Sequence, residues 1–347
     1  MRKTAVVRDE RYLAHNPGRY HPESPKRLAA IYAMLERPDM EGVFQYLPAR
    51  EVTRDELLEI HSPRYVDMIL NTSGKGRRSL DPDTTVSEGS CEASLLAAGG
   101  LCKAISAVIS GDMDNAFALV RPPGHHAETS RAMGFCIFNN VAVGARYAQA
   151  SHGLERVLIA DWDLHHGNGT QHTFEEDRTI LYFSTHQYPY YPGTGGYEET
   201  GRGDGQGFTV NVPFAPGKGD AEYADVFERI LKPIALAFEP QLILVSAGFD
   251  IYENDPLGGM GVTPEGFAML TRTLMDIADA CCNGRVVMTL EGGYNLEGLS
   301  RSVKAVIREL AGVSETVHED GLTRARSGDI EKIVEKVATV HDRFWKI

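Results

Sequence analysis

The stretch Val157 to Gly169, which reads VLIADWDLHHGNG, decides the fold because an apolar run passes directly into a dense polar loop. Four apolar residues in a row are typical of a short strand buried in a parallel sheet. If the backbone is extended, Asp163 and His165 point to the same side. A lone Asp-x-His usually belongs to a solvated loop, but this pair also suits a divalent metal with mixed oxygen and nitrogen ligands.

The composition of the 347 residues is that of a globular protein, with 42% hydrophobic and 24% charged residues. A formal net charge of −13 disfavours nucleic acid as a partner, because binding to phosphates needs a basic patch. The charge is compatible with a cationic substrate, although it also simply favours solubility.

The five cysteines contain no C-x-x-C pair and read as reduced thiols. The N-terminus lacks a signal-peptide apolar region, and we expect no run long enough to cross a membrane. These features predict a cytoplasmic protein without a membrane partner, whereas the oligomeric state leaves no mark in the sequence.

Strand and helix patterns alternate along the chain, with no linker between them. The predicted strands are Thr4–Val7, Ala116–Val120, Val157–Ala160, Ile180–Phe183, Phe208–Val212, Leu242–Val245 and Val286–Leu290. The predicted helices are Lys26–Glu36 after an N-cap at Ser24, Arg54–Leu70 with a break at Pro63, Ser90–Ser110, Asn139–Ala150, Ala221–Phe238, Pro264–Cys282 and a final one at about Asp329–Trp345. The alternation predicts one α/β domain over residues 1–347, with a mostly parallel central sheet covered by helices on both faces. We expect core motifs over about 15–310 and a structural tail over 313–347, with a charged loop before the final helix.

Four of these strands run into polar loops that contain glycine. The loops begin at Arg121, Asp161, Ser246 and Glu291. Ligands of parallel α/β sheets bind beyond the carboxyl ends of the strands, so these loops are expected to meet at one rim.

The loops carry the parts of a catalytic metal site. Asp163, His165 and Asp250 would be three protein ligands that leave a position open for water. His125 or His126 would transfer protons, and Tyr294 could donate a hydrogen bond to an oxyanion. Each part alone has a structural explanation, such as a solvated loop, a helix cap or a glycine turn.

The same residues resemble the histone deacetylase family of the arginase/deacetylase fold, which includes bacterial class II-like deacetylases and acetylpolyamine amidohydrolases. The matching motifs are RPPGHHA at 121–127, GFCIFNN at 134–140, DWDLHHGNGTQ at 161–171, YPGTG at 191–195, GFD at 248–250, DP at 255–256 and EGGYN at 291–295. HPESPKR at 21–27 is similar to the family's first-loop motif.

The resemblance implies one Zn²⁺ per chain, or Fe²⁺, held by Asp163, His165 and Asp250. His126 would be the general base and then the general acid, with Asn168 behind it. His125 would be its electrostatic partner, hydrogen-bonded to Asp161. The implied substrate is an acylated lysine in a peptide or protein, or a small acylated amine.

The resemblance also implies which residues contact the substrate and which bind potassium. The substrate residues would be Gly134, Phe135 and Tyr191 along the acyl-lysine tunnel, Asp83 at its rim, Leu257 as an apolar wall, and Arg27 in an inner cavity through which acetate could leave. A structural K⁺ would bind Asp161, Asp163 and Ser184 with main-chain oxygens of His165 and Thr185, and a second K⁺ would bind around Phe174, Asp177 and Ile180.

Two departures within the family are informative. Asn168 stands where class I members have an aspartate, and an amide orients an imidazole without adding a full charge. Tyr294 is present, whereas the weakly active class IIa branch has a histidine there.

Three rival functions stay open at this point. An acetylpolyamine amidohydrolase is the nearest, although Leu257 stands where polyamine-selective relatives can carry a glutamate. A non-catalytic acyl-lysine-binding module is disfavoured by the intact His125, His126 and Tyr294. An arginase-like two-metal site would need more carboxylates than this chain offers near Asp250.

Overall fold

The computed structural model describes residues 1–314 and 328–346. Its strands are β1 (Thr4–Val7), β2 (Gln45–Leu47), β3 (Arg78–Ser79), β4 (Thr85–Val86), β5 (Asn115–Ala118), β6 (Val157–Asp161), β7 (Ile180–Gln187), β8 (Thr209–Phe214), β9 (Leu242–Ala247) and β10 (Val286–Leu290). Eight of them form one parallel sheet in the order β2-β1-β5-β10-β9-β6-β7-β8, and β3 and β4 form a separate antiparallel pair.

Helices cover both faces of the sheet. They are α1 (Lys26–Leu35), α2 (Arg54–Leu58), α3 (Pro63–Leu70), α4 (Ser90–Ile109), α5 (Asn140–His152), α6 (Asn168–Phe174), α7 (Asp220–Val226), α8 (Lys232–Phe238), α9 (Pro264–Cys281), α10 (Leu296–Leu310) and α11 (Gly328–His341). Helix α4 packs on α5, while α1, α10, α9 and α7 form a second continuous layer. Because β10 contacts both α4 and α9, the two layers lie on opposite faces. The predicted single α/β domain is confirmed.

The strand order brings the four predicted loops together. The strands β5, β10, β9 and β6 are consecutive neighbours in the sheet and parallel, so their carboxyl ends lie side by side. Every residue of these strands is buried, because both faces of the sheet are covered. The expectation of one shared rim is therefore confirmed.

Several predicted boundaries were wrong for identifiable reasons. Helix α1 begins at Lys26 with Pro25 in the cap position, so Ser24 is not its N-cap. The predicted strand from Ala116 to Val120 ends at Ala118. The predicted helix from Ala221 to Phe238 contains a π-helical turn, Phe227–Leu231, just before Pro233. Proline lacks an N–H and crowds the preceding turn, which accounts for this turn.

The sequence patterns missed β2, β3, β4, α6 and α10. Helix α6 begins at Asn168 in the glycine-marked metal loop, where local propensity argues against a helix. Near the C-terminus, α11 ends at His341, four residues before the predicted end at Trp345. The predicted charged loop lies mostly outside the described residues.

Helix α4 is long and apolar enough to cross a membrane by length and composition alone, so the expectation that no such run exists was wrong. Of its apolar window, 72% is buried inside the fold. This is the environment of a core helix, and α4 packs against the sheet and α5.

A buried ion cluster joins the first loop to the loop after β5. Glu23 accepts hydrogen bonds from both Nε and Nη2 of Arg121 and from Arg27 Nη1 at 3.2 Å, and it lies 3.2 Å from His15 Nε2. Burial opposes ionisation of Glu23, but Arg121 and His15 outweigh it and hold the pKa of Glu23 well below its usual value. Its carboxylate therefore fixes the segment that leads to His125 and His126.

Glu23→Gln is expected to lower the free energy of unfolding by about 3 kcal/mol, because it leaves two buried guanidinium groups without their carboxylate counter-charge. Since the folded-state pKa of Glu23 is depressed, its contribution is complete at neutral pH and is lost as the pH falls through the acidic range. Urea titrations at several pH values measure both effects.

Glu36→Gln is the matched control, because Glu36 pairs with Arg8 but its side chain is 63% exposed. It should lower the free energy of unfolding much less than Glu23→Gln does, because ion pairs at the surface contribute little to stability. Equal losses of unfolding free energy in the two variants would show that the buried cluster contributes no more to stability than an ion pair at the surface.

Candidate active site

A pocket of about 150 Å³ opens at the carboxyl ends of the central strands. Ten predicted site residues line it: Asp83, His125, His126, Gly134, Phe135, Asp163, His165, Tyr191, Leu257 and Tyr294. Pro123 and Gly292, which were not predicted, complete its walls. Four further predicted site residues, Asp161, Asn168, Asp250 and Arg27, are buried and do not line the pocket.

Two carboxylates converge on one imidazole in this pocket. His165 Nδ1 lies 3.1 Å from Asp163 Oδ1 and 3.1 Å from Asp250 Oδ2. The donor atoms of the three residues all lie within 4.8 Å of one another. Zinc bonds of 2.0–2.2 Å in a tetrahedron put ligand atoms about 3.3 Å apart. The predicted group is therefore assembled with the spacing of a metal centre.

The second oxygen of each carboxylate is held by a backbone amide. Gly292 N donates to Asp163 Oδ2 at 2.8 Å, and Leu164 N donates to Asp250 Oδ1 at 3.0 Å. Asp250 Oδ2 is buried, and apart from its 3.1 Å approach to His165 Nδ1 it has no polar partner among the described residues. An unpartnered buried carboxylate oxygen is costly unless a cation compensates it. This oxygen supports the assignment of Asp250 as a metal ligand.

Glycines leave the space that these carboxylates occupy. A Cβ on Gly248 would lie 2.0 Å from Asp163 Oδ2, and a Cβ on Gly292 would lie 2.2 Å from Asp250 Oδ2. Any side chain at either position would displace a candidate ligand. Gly248 and Gly292 are thus required because the backbone approaches the candidate metal ligands closely at both positions.

The tandem histidines have separate partners. His125 Nδ1 lies 3.0 Å from Asp161 Oδ2, and His126 Nδ1 lies 2.8 Å from Asn168 Oδ1. Their rings lie 4.0 Å apart between centroids. Asp161 ends β6 and Asn168 begins α6, so both partners come from the stretch that precedes and follows the metal ligands.

These partners push the two imidazole pKa values apart. Burial alone would lower the pKa of His125, but the carboxylates of Asp161 and Asp163 outweigh it and raise the pKa to about 10. Burial lowers the pKa of His126 well below its usual value, and the neighbouring His125 and His165 add to the effect. His126 is therefore neutral and able to accept a proton, whereas His125 carries charge.

Aromatic side chains form the walls of the pocket. Tyr191 stands edge-on to His126, with ring centroids 5.1 Å apart. Phe135 meets Tyr294 at 87° with centroids 6.0 Å apart. Asp83 Oδ1 accepts from Gly134 N at 3.0 Å, so the predicted rim carboxylate also holds the wall that carries Phe135.

Arg27 lies behind Tyr294. Its Nε donates to Gly293 O at 2.6 Å, and its guanidinium carbon is 5.0 Å from the centre of the Tyr294 ring. Its Nη2 donates to Glu291 O. The arginine thus supports the EGGYN loop from the inner side of the pocket.

Sequence reasoning missed several residues of the site. Tyr190 stacks on His165 with centroids 5.7 Å apart, and its hydroxyl donates to Leu257 O at 3.0 Å. His21 packs edge-on against Phe135 at 4.6 Å. The side chain of Glu291 accepts from Gly124 N at 2.6 Å. The motif positions of His21 and Glu291 were a signal, but their contacts depend on the fold.

Residues 21–310 match the family model described as the histone deacetylase domain. The chain is 45% identical to histone deacetylase 15 of Arabidopsis thaliana over 89% of this chain and 57% of that protein. It is 39% identical to a probable deacetylase of Archaeoglobus fulgidus, over 99% of each chain. It is 43% identical to the polyamine deacetylase HDAC10 of Homo sapiens over 84% of this chain and 44% of that protein.

The crystal structure of the HDA15 HD domain superposes with a TM-score of 0.92 at 41% identity, covering 99% of this chain and 95% of that one. The fold and the site together define a deacetylase-type α/β domain. The match over residues 21–310 shows that the chain belongs to the histone deacetylase family. It spans little more than half of the plant relative and less than half of the human one.

Gly248→Ala is expected to weaken Co²⁺ binding by about tenfold to a hundredfold, because the new Cβ displaces Asp163. The visible absorption of tetrahedral cobalt measures the affinity. Gly196→Ala is the control, since its Cβ would meet only Glu199 Oε1 at an ordinary 3.5 Å. Unchanged cobalt affinity in folded Gly248→Ala would argue against Asp163 as a ligand.

Proposed function

We propose that this protein is a zinc-dependent amidohydrolase that removes acetyl or other acyl groups from the ε-amino group of lysine in peptides or proteins. The observation that carries the proposal is the convergence of Asp163, His165 and Asp250 beside two histidines and a tyrosine in one pocket. The family membership and the relatives named as deacetylases support it.

One zinc ion per chain fits the mixed oxygen and nitrogen donors of Asp163, His165 and Asp250, and Fe²⁺ fits the same set. When bound there, zinc supplies Lewis acidity to the acyl carbonyl and makes a water more acidic.

The residues around the candidate metal ligands would have separate roles in proton transfer and charge stabilisation. The neutral His126 would accept a proton from the attacking water and return it to the leaving amine nitrogen. The charged His125, paired with Asp161, would stabilise negative charge that develops on the substrate. Tyr294 would donate its hydroxyl to the same developing oxyanion.

The pocket walls suit the apolar stem of an acylated lysine. Phe135, Tyr191 and Leu257 would contact its methylene groups, and Gly134 leaves room beside His126. Asp83 would grip backbone amides of the substrate at the rim. We also infer that Arg27 borders an inner cavity, which would receive the released acetate.

Tyr294→Phe should lower kcat on an acetyl-lysine peptide by about two to three powers of ten, because one oxyanion donor is lost. KM should change by less than about threefold, since the ring stays in place. A continuous fluorogenic assay on the zinc-loaded enzyme measures both constants.

Tyr197→Phe is the matched control, because its hydroxyl donates to Pro213 O at 3.1 Å and does not line the pocket. It should keep nearly full activity. A Tyr294→Phe variant as active as this control would show that the reaction does not need the Tyr294 hydroxyl.

An acetylpolyamine amidohydrolase is the second candidate, supported by the human relative named a polyamine deacetylase and by the net charge of −13. Against it, the apolar Leu257 lines the pocket and cannot pair with a substrate ammonium.

We therefore expect kcat/KM for an acetyl-lysine peptide to exceed that for N-acetylputrescine by about tenfold or more. Parallel assays of acetate release measure the ratio. A reversed ratio would select the polyamine substrate. Peptide binding without acetate release would select the non-catalytic acyl-lysine-binding module.

We also propose a structural K⁺ at Asp161, Asp163 and Ser184, with main-chain oxygens of His165 and Thr185. The register supports it, since Asp161 pairs with Ser184 across β6 and β7. A second K⁺ would bind main-chain oxygens of Phe174, Asp177 and Ile180, of which the first two share one hydrogen-bonded turn. The five free thiols support a reducing, cytoplasmic location.

A further inference from the structure

The side-chain amide of Asn168 must keep one orientation, a requirement that an aspartate in its place would not have. An aspartate offers oxygen on both sides, whereas an amide offers one acceptor oxygen and one donor nitrogen. If Asn168 turned its nitrogen toward His126 Nδ1, that atom would have to accept, and the proton would sit on Nε2. His126 could not then act as a base at Nε2. Something must therefore fix the orientation of this amide.

A carboxylate next to Asn168 supplies the constraint. Asn168 Nδ2 lies 2.6 Å from Glu128 Oε1, and the same oxygen lies 2.9 Å from His172 Nδ1. An ionised carboxylate only accepts hydrogen bonds, so the amide nitrogen must face Glu128 and Oδ1 must face His126. The proton of neutral His126 then sits on Nδ1, and Nε2 keeps its lone pair.

Glu128 is itself held in place. It follows His126 by two residues, in a tight turn where Glu128 N donates to Arg131 O at 2.9 Å. His61, in the segment between α2 and α3, anchors the turn because its Nδ1 lies 3.0 Å from Glu128 O. The Glu128 side chain is 19% exposed, and that of His172 is 42% exposed.

We propose that Glu128 is a positioning residue that orients Asn168 and thereby sets the tautomer of the general base His126. The inference rests on the proposed amide hydrolysis. It assigns a role to a polar chain that runs from the pocket to the surface: His126, Asn168, Glu128 and His172.

The charges around Glu128 keep it an acceptor. Burial would raise its pKa, but the hydrogen bonds from His172 and Asn168 outweigh this and lower it, and Arg131 contributes in the same direction. Glu128 is therefore ionised near neutral pH.

If Glu128 orients Asn168, the effect on kcat of removing Glu128 should depend on the residue at position 168. When Asn168 is present, loss of the acceptor at position 128 should lower kcat, because His126 is no longer held in the tautomer that accepts a proton at Nε2. With Asn168→Asp, the two carboxylates would meet at hydrogen-bond distance and repel each other, so loss of Glu128 should help. A residue that only supports the fold would impair both backgrounds alike.

The experiment compares Glu128→Leu, Glu128→Gln, Asn168→Asp and the double variant Glu128→Leu/Asn168→Asp in acetyl-lysine hydrolysis. Glu128→Leu should lower kcat by about tenfold or more, with KM within about twofold. Glu128→Gln should stay within about threefold of the parent, because its amide oxygen still accepts. In the Asn168→Asp background, Glu128→Leu should raise kcat by about threefold or more.

Glu175→Leu is the matched control, because Glu175 pairs with Arg202, its side chain is 20% exposed, and it does not line the pocket. It should leave kcat unchanged. Equal losses from Glu128→Leu in the parent and in the Asn168→Asp background, or no loss in the parent, would overturn the proposal.

A second readout separates this inference from the proposed function. The ¹⁵N shifts of the His126 ring should report a protonated Nδ1 in the parent protein and a mixture of tautomers in Glu128→Leu. An identical spectrum in both would overturn the role of Glu128, whatever the activity. If the parent hydrolyses no acyl amide but the spectra differ as expected, the proposed reaction fails and the positioning role stands.

Discussion

The structure depends on the burial of two like charges beside one imidazole. Asp163 and Asp250 are both buried, and each has an oxygen 3.1 Å from His165 Nδ1. Burial and the neighbouring Asp163 raise the pKa of Asp250 to about 6. Two carboxylates at this separation and depth repel strongly unless positive charge lies between them. A divalent cation bound between them would attract both carboxylates and thereby stabilise the site.

The sheet order makes this arrangement possible. Four neighbouring parallel strands, β5, β10, β9 and β6, end at the same rim, and each delivers a different part of the site. Their loops approach so closely that glycines stand at the points of contact with the carboxylates. The buried cluster around Glu23 then ties the first loop of the chain to the loop that carries the histidines.

Much of the fold and site could be predicted from the sequence. The buried strands were visible as short apolar runs, and β1 and β10 match their predicted bounds. The candidate metal ligands and the histidine pair could be predicted because few residue types bind metals or transfer protons, and several of these residues directly follow strands. Helix α6 was not visible, because its first turn follows a glycine and tertiary contacts outweigh local propensity. Glu128 and His172 were missed since their roles arise from contacts across 40 and 44 residues of chain.

The sequence by itself determined the alternation of strands and helices and the candidate ligands, because periodicity and residue chemistry are local properties. The class of protein followed from the motifs that resemble the family. The resemblance implied a partner for each histidine, but only the tertiary structure decided how burial and the neighbouring charges act on each of them. The pKa values of His125 and His126 move in opposite directions although the residues are adjacent in the chain. Burial and neighbouring charges set those values, and both depend on segments brought together by folding.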